Sequence, residues 1–246
     1  MEPATLLFLS AAVLIAGMLQ AATGIGFGLI GGPALLTTVA PFDALITASV
    51  LSAGIALVLV PKFRHHISWP EFRRLCLGGL AGLPVGALIF ATADAAALKA
   101  GAALVVAFAL AMLLFPVKTG AASAPKTGLA AGAICGVLGV CLSMPGPVAA
   151  AYLLRQGHSK TVVRATILAY FLPAYCATLF SQAVLAGVAD TDWSIALWLA
   201  PATLVGVIAG QRLSARLSER TFRLSLQIVL AATIVSLVYS ALADVM

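Results

Sequence analysis

Long apolar segments separated by short polar stretches make up almost the whole chain. Apolar residues predominate over residues 4–39, 43–61, 75–91, 97–116, 127–155, 162–187, 193–211 and 224–243. Most of these segments are close to the roughly 20 residues that a helix needs to cross a bilayer. Because a spanning segment in lipid must satisfy its own backbone hydrogen bonds, the pattern predicts an all-α polytopic membrane protein.

Glycine and proline interrupt the first and the fifth of these segments. Residues 23–33 contain five glycines and one proline, and residues 136–147 contain three glycines and two prolines. A helix is unstable through such residues, because glycine loses more backbone conformational entropy on folding than other residues do and proline lacks the N–H donor. Two broken apolar segments at corresponding positions in two halves are typical of the binding site of a secondary transporter.

The two broken segments belong to a repeated pattern. A shift of 115 residues places Gly24 on Gly139, and further glycine matches follow in the same order. The order of the matches predicts a duplication, with residues 1–117 as the first repeat, residues 118–126 as a linker and residues 127–246 as the second repeat. A second shift of 124 residues relates two pairs of glycines that are predicted to pack helices closely: Gly82, Gly86, Gly206 and Gly210.

The distribution of basic residues predicts the topology. If each broken segment crossed the membrane once, six Lys and Arg residues would lie on one side and eight on the other. If each broken segment returns to its own side, 13 of the 14 basic residues share one side, Lys99 being the exception. Cytoplasmic loops carry an excess of Lys and Arg, so the second arrangement is favoured. Both termini are then predicted to be periplasmic and the basic loops cytoplasmic.

The length of the second broken segment agrees with this arrangement. Residues 127–155 provide 29 residues, whereas two full crossings need about 40. Each repeat is therefore predicted to be a broken or re-entrant helical hairpin, over residues 4–39 or 127–155, followed by three transmembrane helices. Three crossings invert the second repeat relative to the first, so the hairpins enter from opposite sides and their tips can meet near the midplane.

A helix that starts at such a break offers a binding site for a small anion. Its first N–H groups have no helical partner and carry the positive end of the helix dipole, and glycine lets a ligand approach them. Pro33, Pro145 and Pro147 are predicted to lie at or near the starts of the returning helices, where proline is tolerated. Gln20, Thr23 and Ser143 could add donors. The predicted substrate site comprises Gln20, Thr23, Gly24, Gly26, Gly28, Gly31, Gly32, Pro33, Gly136, Gly139, Ser143, Pro145, Gly146 and Pro147.

Four further polar residues are secondary candidates. At a shift of 117 residues, Thr47 and Ser49 correspond to Arg164 and Thr166, and each set is predicted to face its hairpin. Arg164 lies near the cytoplasmic end of its span, where a side chain that snorkels to the membrane surface is one explanation. Electrostatic attraction of an incoming anion is the other.

Composition and charge argue against several other classes of protein. The chain is 62% hydrophobic and only 9% charged, against about 25% charged in soluble domains. The net charge of +6 comes from short loops without interleaved aromatic residues, so nucleic acid is not an expected partner. Four cysteines without metal-site spacing predict no metal and no cofactor. Histidines confined to loops, without a hydrolase or metalloprotease motif, predict that the chain is not an enzyme.

The glycine and proline motifs resemble those of the TauE/SafE family of sulfite exporters and sulfonate permeases. The resemblance rests on the glycines of residues 24–35, on their less regular copy at residues 132–147 and on the basic loop at residues 64–67. It implies transport of a small, sulfur-containing anion such as sulfite or a sulfonate across the bacterial inner membrane. In the second copy Cys141, Ser143 and Met144 replace the glycine run of the family.

The sequence pattern leaves two alternatives to a secondary transporter open. A channel could use the same breaks as its filter, and a soft-metal carrier could use Cys135, Cys141, Met144 and Cys176. Because no carboxylate lies in the middle of any predicted span, a coupling ion, H⁺ or Na⁺, would bind backbone carbonyls and hydroxyls or travel on the substrate itself.

Overall fold

A computed structural model describes residues 3–115, 125–186 and 192–214, together with residues 227–228, 231, 233–236 and 238–239. The helices in this part of the chain are α1 (Pro3–Thr23), α2 (Phe27–Leu36), α3 (Pro41–Phe63), α4 (Trp69–Thr92), α5 (Ala95–Leu114), α6 (Pro125–Leu142), α7 (Gly146–Arg155), α8 (Lys160–Ala186) and α9 (Trp193–Ser214). A single 3-10 turn, Arg64–His66, joins α3 to α4. The prediction of an all-α protein is confirmed.

Six helices of the described residues are long and apolar enough to cross a membrane: α1, α3, α4, α5, α8 and α9. Large apolar side chains on these helices are exposed, among them Leu57, Leu88 and Leu197, as expected for a surface in contact with lipid. Five of the six helices coincide with predicted spans. Of the predicted span 224–243, residues 227–228, 231, 233–236 and 238–239 are described and are helical. Most of the linker 118–126 lies outside the described residues.

The first broken segment forms α1 and α2, which are joined by residues 24–26. Gly24 has φ 85° and Gly26 has φ 138°, backbone conformations that favour glycine. The predicted interruption over residues 23–33 is too long, since Gly28, Gly31 and Gly32 are helical. These glycines are buried among other helices, and tertiary packing stabilises α2 despite its poor intrinsic propensity.

The position predicted for Pro33 is wrong. Pro33 is the seventh residue of α2 and does not start it. A proline there removes one backbone hydrogen bond from a ten-residue helix, which the surrounding helices tolerate. The second broken segment follows the prediction better: α6 and α7 are joined by residues 143–145, and Pro147 is the second residue of α7.

Each broken segment returns to the end of the bundle from which it starts. A Cβ built on Gly128, near the start of α6, would lie 2.5 Å from the hydroxyl of Tyr152 in α7. At the other end, the Asp192 N–H, just before α9, donates to Asp43 in the first turn of α3 at 3.2 Å. Helix α1 runs parallel to α9, so its start shares that end with the junction between α2 and α3.

Glycines allow two pairs of parallel helices to pack at very short distance. A Cβ on Gly82 of α4 would lie 2.0 Å from the carbonyl oxygen of Ala133 in α6. A Cβ on Gly206 of α9 would lie 2.2 Å from the carbonyl oxygen of Leu14 in α1. Gly86 and Gly210 make the same kind of contact one turn further on. The packing role predicted for these four glycines is confirmed.

Two hydrogen bonds show that helix ends rich in basic residues lie at the same end of the bundle. Lys62 Nζ donates to Gln211 Oε1 at 2.7 Å, which joins the ends of α3 and α9. The Ser68 N–H donates to Thr166 Oγ1 at 3.0 Å, which joins the starts of α4 and α8. The same contact explains why α4 begins six residues before the predicted span: Ser68 and Pro70 start a helix whose first turns are polar.

Candidate functional site

The two breaks lie in direct contact, so that the short helices α2 and α7 begin side by side. A Cβ on Gly28, the second residue of α2, would lie 2.6 Å from the carbonyl oxygen of Ser143. A Cβ on Gly146, the first residue of α7, would lie 2.4 Å from Ile25 Cγ2. The prediction that the two breaks meet is therefore confirmed.

A small cavity lies between the two helix starts. Its volume is about 10 Å³, which is room for about one water molecule. Five predicted site residues line it: Gln20, Gly26, Gly28, Gly146 and Pro147. Five residues that were not predicted complete the wall: Phe27, Leu29, Met144, Phe171 and Tyr175.

The aromatic part of the wall comes from α8. The rings of Phe171 and Tyr175 have centroids 5.1 Å apart, and both side chains are buried. Their spacing of four residues places them on one face of a helix, a signal that could have indicated a shared surface. Which helix face meets the breaks depends on tertiary packing, and the sequence pattern does not contain that information.

Neither short helix has a side chain that caps its N-terminus. Gly26 is the N-cap of α2 and Pro145 is the N-cap of α7, and neither position has a side-chain hydrogen bond. In α2 the backbone hydrogen bonds begin at Leu29, whose N–H donates to the Gly26 carbonyl at 3.0 Å. The N–H groups of Phe27 and Gly28 therefore make no hydrogen bond within the helix. The positive ends of the two helix dipoles point into the same small cavity.

The hydroxyl protons of Thr23 and Ser143 do not face this volume as donors. Thr23 Oγ1 donates to the Leu19 carbonyl at 2.9 Å and closely approaches the Ile25 carbonyl. Ser143 Oγ donates to the Leu45 carbonyl at 2.9 Å. Because a hydroxyl has only one proton, Ser49 donates to Ser143 in their 2.8 Å contact. The two hydroxyls stabilise the breaks, and backbone amides remain as the donors of the site.

Ser143 occupies a backbone conformation that usually requires glycine. Its φ is 55°, and it is the non-glycine residue with positive φ among the described residues. The side-chain bonds to Ser49 and Leu45 and a bond from the Ser143 N–H to the Gly139 carbonyl (2.9 Å) hold it there. Serine in the second break therefore replaces the conformational freedom of glycine with hydrogen bonds to α3.

Arg164 binds the end of α1. Its guanidinium donates to the Ala21 carbonyl and lies 4.2 Å from the ring centroid of Phe63. A Cβ on Gly24 would lie 3.0 Å from Arg164, which shows how closely α8 passes the first break. A cation at the C-terminal end of a helix is stabilised by the helix dipole. The side chain thus turns inward to the break, and snorkelling toward the membrane surface is not needed to explain it.

Two of the four secondary candidates contact the break of the other half. Ser49 of α3 contacts the second break through Ser143, and Arg164 of α8 contacts the first break through Ala21. Thr47 is buried on α3, and Thr166 is buried and accepts the hydrogen bond from Ser68. The contacts of Ser49 and Arg164 therefore differ from the expectation that each set faces its own hairpin, since both side chains reach the break of the other half.

The remaining predicted residues do not line this cavity. A Cβ on Gly31 would meet the Phe27 ring at 2.8 Å, and one on Gly32 would meet Met144 Cε at 3.4 Å. Gly136 packs against Gly79 of α4, and Gly139 lies beside Thr178 of α8. The carbonyl of Pro145 accepts a hydrogen bond from the Cys135 thiol at 3.2 Å.

The cysteines are distributed over different environments. Cys135 and Cys141 are buried and their thiols donate to backbone carbonyls, Cys76 is partly buried, and Cys176 is exposed on α8. Over the described ranges, no group of three or more His, Cys, Asp or Glu side chains is placed to hold a metal ion.

Comparison with known proteins identifies the family of the chain. No curated protein and no solved structure matches the chain. A family model described as Sulfite exporter TauE/SafE matches residues 9–237, which include both breaks, most of α1 and the other eight helices named above. The family consists of membrane transporters, in agreement with the six apolar helices. The chain therefore belongs to the TauE/SafE sulfite exporter family.

Proposed function

We propose that the chain transports a small oxyanion, such as sulfite or a sulfonate, across the bacterial inner membrane. The anion binds between the first turns of α2 and α7 and is exposed to the two sides in turn. One observation carries the proposal: two helix N-termini without a side-chain cap begin next to each other around a shared cavity. Such a pair binds negative charge through amides and dipoles, without a buried basic side chain.

The topology in the membrane follows from the same contacts together with the charges. We infer that the basic end of the bundle, with Lys62 and Arg212, is cytoplasmic. The crosswise packing of α1 with α9 and of α4 with α6 is the pattern that two inverted repeats would produce. The two broken segments then enter from opposite sides, which gives the anion one approach from each side.

A carrier accounts for the closed cavity better than a channel does. A cavity with room for about one water molecule is too small for a sulfur oxyanion, and the two breaks are in van der Waals contact. The described conformation therefore corresponds to a closed state, and binding requires that Phe171, Tyr175 or the breaks move. Saturable flux with counterflow in proteoliposomes would support the carrier, and flux that increases without saturation would support the channel.

A matched pair of glycine variants tests the site. In Gly32→Leu the new side chain would push Met144 Cε into the cavity, because even a Cβ reaches it at 3.4 Å. Gly54→Leu adds the same side chain on α3 where a Cβ meets nothing within 4 Å. We expect purified Gly32→Leu to lose at least about tenfold in sulfite or sulfonate affinity, a change of about 1.4 kcal/mol, and Gly54→Leu to bind normally. Wild-type affinity in Gly32→Leu would contradict the proposed site.

A further inference from the structure

A buried residue with an unpaired hydrogen-bond acceptor lines the cavity between the two helix starts. Gln20 is completely buried and lines the cavity. Its Nε2 donates to the carbonyl oxygen of Ser52 at 3.2 Å, whereas its Oε1 has no hydrogen-bond partner among the described residues. Buried side-chain oxygens are rarely left without a donor, because an unpaired buried acceptor destabilises the fold.

The contact with Ser52 fixes the orientation of the Gln20 amide. If the amide were rotated by half a turn, Oε1 would face the Ser52 carbonyl and two acceptors would be in contact. The observed orientation places the donor toward α3 and leaves Oε1 as an acceptor. The wall of the cavity therefore combines donors from the starts of α2 and α7 with one fixed acceptor from α1.

We infer that the transported oxyanion carries its own hydrogen-bond donor, a hydroxyl or ammonium group, which Gln20 Oε1 accepts. This inference rests on the proposed function, since the anionic group of the same ligand occupies the amides at the helix starts. A donor-free anion would bring its oxygens or its apolar part against Oε1 and leave that acceptor unpaired. Sites with a buried polar group discriminate strongly against ligands that cannot pair with it. Gln20 is thus a residue that determines specificity.

Two sulfonates of equal size and charge test the inference. Hydroxyethanesulfonate and propanesulfonate have the same number of heavy atoms, and only the first has a hydroxyl donor. For the purified full chain we expect the hydroxyl compound to bind about five- to tenfold more tightly, the usual contribution of one hydrogen bond. In Gln20→Leu the ratio of the two affinities should fall to about one. Because the ratio is measured within each protein, partial loss of folded protein does not affect it.

Gln182 supplies a matched control. It is buried, its Nε2 donates to the Val140 carbonyl at 2.9 Å and its Oε1 has no partner in the described part of the chain, yet it does not line this cavity. Gln182→Leu should keep the wild-type affinity ratio. An equal affinity for the two sulfonates in the wild type would overturn the inference, as would a ratio that Gln20→Leu leaves unchanged; both results are expected if a water molecule pairs with Oε1. If neither sulfonate nor sulfite binds at all, the proposed function fails first.

Discussion

The phenolic hydroxyl of Tyr152 on α7 donates a hydrogen bond to the buried carboxylate of Glu71 on α4. Arg74 binds the other oxygen of the same carboxylate, with Nη1 at 2.6 Å from Oε1. The three side chains tie the end of the short helix α7 to a long helix of the other half of the chain. Helix α7 is therefore held at both ends, at Gly146 by the first break and at Tyr152 by Glu71.

Removal of the Tyr152 hydroxyl should loosen this attachment. Tyr152→Phe leaves one carboxylate oxygen of a buried, charged group without its donor, which destabilises a protein by about 1–3 kcal/mol. We expect a lower melting temperature in detergent and faster reaction of a cysteine introduced at Arg155 with a thiol reagent. Tyr170→Phe, which removes a hydroxyl from another buried tyrosine outside this network, is the control. Equal effects of the two variants would show that the Glu71 contact has no special role.

Substitutions of Ser143 should separate backbone strain from hydrogen bonding. Ser143→Ala and Ser143→Gly both lose the bonds to Ser49 and Leu45, but only glycine adopts φ 55° without strain. The left-handed conformation costs a residue with a Cβ roughly 1 kcal/mol. Ser143→Gly should therefore be more stable than Ser143→Ala by about that amount in equilibrium unfolding. The opposite order would mean that the break relaxes to another conformation.

Packing glycines and lipid-facing glycines should respond oppositely to alanine. A Cβ on Gly82 would lie 2.0 Å from a backbone oxygen of α6, whereas a Cβ on Gly54 meets nothing within 4 Å. We expect Gly82→Ala to destabilise the protein by about 1–3 kcal/mol, because α4 and α6 must separate. Gly54→Ala should be neutral or stabilising by up to about 1 kcal/mol. Thermal unfolding in the same detergent compares them, and a neutral Gly82→Ala would contradict the close contact.

Labelling of single cysteines should reveal the predicted topology. In a variant without the four native cysteines, Lys126→Cys and His158→Cys flank the second broken segment at the same end of the bundle. Both should react with an impermeant thiol reagent only from the cytoplasm, and Asp94→Cys should react only from the periplasm. Reaction of the first two from opposite sides would contradict the return of this segment to its own side.

Local signals in the sequence predicted most of the fold and part of the site. The apolar pattern predicts α3 over residues 43–61, and it extends over Pro41–Phe63; the breaks follow from glycine and proline. Glu71 could not be recognised, because its charged neighbours suggest a loop and its partner Tyr152 lies 81 residues away. Phe171 and Tyr175 reach the cavity only through the packing of α8, so no local pattern assigns them to the site.

The close fit of α1 along α9 has a consequence for synthesis of the protein. The starts of these two helices are 190 residues apart, so α9 leaves the ribosome roughly 10–40 s after α1 at ordinary elongation rates. Throughout that time the face of α1 that packs against Gly206 and Gly210 has no partner. Lipid or the insertion machinery must cover this face until α9 is made, and a ribosome that stalls before α9 would release a product in which this face of α1 stays unpaired.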